Sequence, residues 1–201
     1  MLHVADASFF EAVGKEADRH ELVLVEGVPA GAGIRLLLAY EQIATRSDIG
    51  LSLQRNYIGP SQYPHWRNSD LSADEARRLF LQTPWVKRLT IALMMKSAAF
   101  IFRHAKSKED FVSTVRNLDD TDYEIREIEV ARNTFGERLS NFIHDARDAN
   151  LEHKFDEAVH EKPEDIAIVW GAAHAPRLIR HMSKAHGYRI VGAEWMNVVD
   201  L

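Results

Sequence analysis

Apolar and polar positions recur along this chain at two spacings, and the changes between them predict its elements. Asp6 can cap a helix in which Phe9, Phe10, Val13 and Ala17 return at helical intervals. Leu22–Val25 follows as a short run with no polar position, ending in Glu26 and Gly27. A run apolar on both faces fits a buried strand paired in parallel. GVPAGAG reads as a turn, and IRLLLAYEQIATR, residues 34–46, as a helix. Residues 51–54 read as another strand. Residues 56–70, which include His65 and Trp66, read as a turn-rich loop.

The middle of the chain is helical in pattern. Ser72 and Glu75 have the spacing of a capping box ahead of ARRLFLQ. Pro84 stands at a tolerated first-turn position for a helix reaching residue 104, and a short helix begins after Ser107. A long helix is predicted over residues 122–147, with Gly136 inside it. Residues 166–170 (IAIVW) form a second buried run, followed by Gly171, Ala172, Ala173 and His174. Pro176 then opens a helix that Gly187 ends, and residues 188–191 and 194–199 read as strands. The expected class is α/β: a small, mostly parallel or mixed sheet flanked by helices. One domain, 1–201, would have α/β halves at 1–54 and 165–201, with a helical segment, 72–160, inserted between them.

Composition narrows what such a domain does. A chain of 201 residues suits one domain with a real core. It has no cysteine, which excludes disulfides, thiolate metal sites and thiol nucleophiles. A metal would have to be held by Asp, Glu and the ten His. The net charge of −5 argues against nucleic acid as a partner. IALMMKSAAFIF, the most apolar stretch, is too short to span a bilayer and contains Lys96. The first residues, MLHVADASFFEAV, lack the basic and apolar regions of a signal peptide, so a cytoplasmic location is expected.

There is no G-x-S-x-G elbow, no H-E-x-x-H and no P-loop lysine. What remains is a pair of polar residues at the ends of buried strands, Glu26 and His174. In open α/β sheets, ligands bind outside the carboxyl ends of the strands, so the two can converge although far apart in sequence. His174 lies just ahead of a helix N-terminus, whose positive dipole end favours the neutral imidazole that a metal ligand or general base requires. His3 precedes the Asp6-capped helix in the same way. His153, His160 and His181 read as surface residues.

HVADASFFEAV, ELVLVEGV, ARNTFGERL and VWGAAHAPRLIRHMSKAHGYRI together resemble the TraB/GumN-like clan. That clan includes the Tiki-type metalloproteases and is distantly similar to erythromycin-esterase-like hydrolases. It is marked by two G-x-x-H motifs, a strand-end glutamate and an Arg-Asn or Arg-Asp pair on a helix. The resemblance implies that His174 and Gly171 belong to the second motif and His3 to the first. It makes Glu26 the strand-end acid and Arg132 and Asn133 the helix pair, with Gln54 lining the pocket. The glycine of the first motif, and the strand ahead of it, would fall before Met1, so the resemblance implies truncation at that motif.

The function so implied is metal-assisted hydrolysis of an amide, as in a peptide, or of an ester in a small molecule. His3, His174 and Glu26 would hold Zn, Mn or Co, which polarises the carbonyl and lowers the pKa of bound water towards about 7. If Glu26 is no ligand, it is the general base. Arg132 would stabilise the oxyanion or anchor a substrate carboxylate, and Asn133 would orient either group. Two alternatives stand beside this. A His–Glu pair activates water without metal, or a non-catalytic member binds a peptide or small haem-like ligand.

Overall fold

A computed structural model describes residues 4–27, 49–59, 63–86, 88–89, 93, 100, 107–118 and 135–200 of this chain. The strands are β1 (Val4–Ala5), β2 (Leu22–Val25), β3 (Ser52–Leu53), β4 (Trp66–Asn68) and β5 (Ile166–Val169). The helices are α1 (Ala7–Ala17), α2 (Ala73–Gln82), α3 (Lys108–Leu118), α4 (Phe135–Glu161) and α5 (Ala175–His186). Short 3-10 turns occupy Gln54–Asn56 and Ala172–His174. The positions described between residues 85 and 100 are helical, as expected there. The predicted 34–46 helix and the first part of the predicted 122–147 helix lie outside the described residues.

Among the described residues, the larger sheet has three strands in the order β4-β2-β5, all parallel. β2 is central, and its four apolar residues are divided between the two faces by the pleat. Val23 and Val25 pack with Phe10 and Ala17 of α1, and with Ile58, Trp66 and Val169. Leu22 and Leu24 pack on the other face with Leu151, Phe155 and Ala158 of α4 and Leu178 of α5. Both faces are therefore covered by helices, which is why the strand carries no polar position. A separate antiparallel pair, β1 with β3, aligns Val4 with Leu53 and Ala5 with Ser52.

The α/β class with a small mixed sheet is as expected, but three local expectations need correction. The loop at 56–70 contains β4: Trp66 is buried, and parallel pairing along β2 supplies the hydrogen bonds that turn-rich sequence does not advertise. The long helix runs on to Glu161, because Leu151, Phe155 and Ala158 form an apolar stripe within a highly charged segment. Residues 188–191 and 194–199 are not strands. They carry strand-like alternation, yet no ladder forms along them.

Candidate functional site

Register places the site. Val25 is level with Asn68 on β4 and with Val169 on β5. The next residue of each strand therefore emerges on one edge: Ser69, Glu26 and Trp170. The ladder continues through this edge, with Ser69 N donating to Val25 O at 3.0 Å and Glu26 N donating to Val169 O at 3.0 Å. Below the edge, Trp170 Nε1 donates to Ser69 Oγ at 2.7 Å, and Ser69 Oγ donates to Val25 O at 3.0 Å. This apolar and hydrogen-bonded floor holds the strand ends at fixed height.

Glu26 and His174 are both brought to this edge and both are buried, 5% and 4% exposed. Between them stands Arg147 of α4. Its Nη2 donates to Glu26 Oε1 at 2.5 Å and to Asp70 Oδ2 at 2.7 Å, and its Nε donates to Asp70 Oδ1 at 3.0 Å. Its Nη1 lies 3.5 Å from His174 Nε2, and its guanidinium carbon lies 5.2 Å from the centre of the Trp170 ring. Burial works against the Arg147 charge, but Asp70 and Glu26 outweigh it and push its pKa up, so it stays protonated throughout the working range. The backbone N–H of Gly171 donates to Glu26 Oε2 at 2.8 Å.

The other side of His174 meets Asp148, whose Oδ1 is hydrogen-bonded to Nδ1. A carboxylate on Nδ1 assigns the proton of the neutral ring to that nitrogen, leaving Nε2 as the acceptor. The ring stands edge-on to Trp170, centroids 4.9 Å apart. The second Asp148 oxygen lies 3.9 Å from Arg177 Nη1. The arrangement is thus a carboxylate–imidazole pair beside a clamped guanidinium.

No family model, curated protein or solved structure matches this chain. The assignment of roles therefore rests on the geometry.

Of the other expected residues, His3, Arg132 and Asn133 lie outside the described residues. Gln54 is buried just after β3, as the first residue of the 3-10 turn Gln54–Asn56. Arg147 and Asp148 were not anticipated, although they too form an Arg-Asp pair on a helix. A signal for them exists in the sequence. Stepping back one turn from the stripe of Leu151, Phe155 and Ala158 lands on Arg147, a charge on a core-facing position.

As arranged, Glu26 and His174 do not fit a metal. A cation between them would have to take the position of the Arg147 guanidinium. A donor set suited to a metal occurs elsewhere, where Asp156, His181 and His186 bring their ligand atoms within 4.8 Å of one another. No helix among the described residues is long and apolar enough to cross a membrane.

Proposed function

We propose that this chain is a hydrolase of ester or amide bonds, in a small molecule or a peptide, and that it works without a metal at the reacting centre. The observation that carries this reading is the His174 ring, held by Asp148 on Nδ1 and facing Arg147 on the Nε2 side. It sits at the carboxyl edge of a parallel sheet, where α/β folds place ligands. The network gathers Glu26 and Asp70 on the Arg147 guanidinium and sets Asp148 on the Nδ1 side of the His174 ring. Burying several carboxylates with a histidine is costlier than stability requires, which is characteristic of sites built for chemistry. The clan resemblance supports the same reaction class.

In this mechanism water displaces the 3.5 Å contact of Arg147 Nη1 on His174 Nε2, and Nε2 takes a proton from that water as the water oxygen attacks the carbonyl carbon. Asp148 holds the ring in the required tautomer and stabilises the imidazolium that forms. Arg147 offers its charge to the developing oxyanion. The imidazolium then returns its proton to the leaving oxygen or nitrogen as the scissile bond breaks. Glu26 and Asp70 position the guanidinium.

The test is turnover of a panel of esters and peptides. Asp148→Asn, which presents the wrong hydrogen-bonding pattern to Nδ1, should lower kcat on the order of 10²–10⁴-fold. His174→Gln should lose at least as much, and excess chelator should leave the parent rate unchanged. Undiminished turnover in His174→Gln would overturn the reading, and a rate that chelator abolishes in Asp156→Asn as well as in the parent would restore the metal-dependent one. Tight binding without conversion would favour the non-catalytic alternative.

A further inference from the structure

α4 and α5 face each other through a ladder of opposed polar residues. Asp148 meets His174, Glu152 holds Arg177 with both oxygens (2.8 and 3.1 Å), and Asp156 meets His181. The middle rung pairs an acid with a permanent cation. The last rung differs. Two imidazoles converge on a single oxygen, with His181 Nε2 at 2.7 Å and His186 Nε2 at 2.6 Å from Asp156 Oδ1. For an ion pair alone, one arginine serves better and keeps its charge. Two imidazole nitrogens and one carboxylate, all partly buried, are instead the N/O donor set of a borderline divalent metal.

We propose that Asp156, His181 and His186 bind one zinc-like divalent transition-metal ion, clasping α4 to the C-terminal end of α5. The end of α5 that carries two of the ligands is capped and packed. Gly187 ends α5 in the left-handed conformation (φ 73°), Gly187 N donates to Ser183 O at 3.1 Å, and Tyr188 N donates to Met182 O at 3.2 Å. The His186 ring is packed edge-on against Phe155 and Tyr188, with centroids 5.4 and 6.4 Å away. Coordination replaces two N–H···O bonds by N–metal and O–metal bonds. Each ring would bind through an unprotonated Nε2 and keep its single proton on Nδ1. Three protein ligands leave a fourth position for water.

Asp156 lies eight residues beyond Asp148, about 12 Å along the helix at about 1.5 Å per residue. The clasp is therefore separate from the His174 network and does not depend on the hydrolase reading. After chelator treatment, Zn²⁺ titrated into the full chain by calorimetry should bind at one equivalent, and Co²⁺ should give a low-symmetry visible spectrum. His181→Ala, His186→Ala and Asp156→Asn should each weaken Zn²⁺ binding by more than the roughly 10–100-fold that losing an outer partner costs. His174→Gln should bind Zn²⁺ as the parent does. Should the alanine variants fail to fold by circular dichroism, Asp156→Asn, which keeps the shape and one acceptor, decides alone. No uptake of Zn²⁺ or Co²⁺ by the parent, or parental affinity in Asp156→Asn, overturns the proposal and reduces the cluster to a hydrogen-bonded contact.

Discussion

Arg147 is the residue on which the site turns. It is held by Asp70 through two nitrogens and by Glu26 through one of the same pair, while its remaining nitrogen faces His174. Removing it leaves two buried carboxylates without their cation. Arg147→Ala should therefore destabilise the fold by about 3–5 kcal/mol in urea titration. Arg147→Lys keeps the charge but cannot reproduce the fork, and should recover stability better than activity. A smaller residue acts through the same network. A Cβ at Gly27 would overlap the Asn68 side-chain amide, whose Oδ1 accepts from Asp70 N at 2.8 Å. Gly27→Ala should displace Asn68, loosen Asp70 and lower kcat more than it raises KM, a split that steady-state kinetics reads directly.

Among the elements, α2 shows local chemistry at its plainest. Ser72 Oγ accepts from Glu75 N at 3.3 Å, and Glu75 Oε2 accepts from Ser72 N at 2.9 Å, completing the predicted capping box. The hydrogen bonds from the Ser72 side chain and backbone hold the Glu75 carboxyl below its ordinary value. A carboxyl lowered by folding stabilises the protein above its unfolded pKa, and that contribution disappears as pH falls through the folded value. Ser72→Ala should cost about 1 kcal/mol near neutral pH, with the gap between variant and parent melting temperatures narrowing below about pH 4.5. α4 is the contrasting case. One face supplies Leu151, Phe155 and Ala158 to the core, and its Asp148, Glu152 and Asp156 oppose α5. Its role follows from which neighbour each stripe meets, not from its own composition.

For the molecule as a whole, α4 couples the core to the candidate site. Leu151 is buried against the sheet one turn from Arg147 and Asp148, so the packing that stabilises the fold also fixes the depth of those two side chains. Leu151→Ala should lose about 2–5 kcal/mol of stability. At temperatures where the variant is still folded it should also lower turnover, because the cavity lets the helix shift under Arg147. A variant destabilised to that extent with parental kcat would separate the core from the site.

Local spacing along the chain records part of this fold. Four apolar residues in a row at Leu22–Val25 announced a strand covered on both faces, and Glu26 and His174 announced the edge at which they meet. The capping box, Pro176 and Gly187 marked helix ends, because capping is satisfied within a few residues. Tertiary contacts decided the rest. Trp66–Asn68 is a strand because β2 offers it a parallel partner, while residues 188–199 form no strand because the bond from Asp6 N to Val198 O at 3.1 Å does not continue into a ladder. Arg147 and Asp148 join the site through the phase in which α4 lies on the sheet. That phase is set by Leu151 and Phe155 packing against Leu22 and Leu24, more than a hundred residues away. Periodicity shows that a helix has faces; contact between distant segments selects the face that carries Arg147 and Asp148.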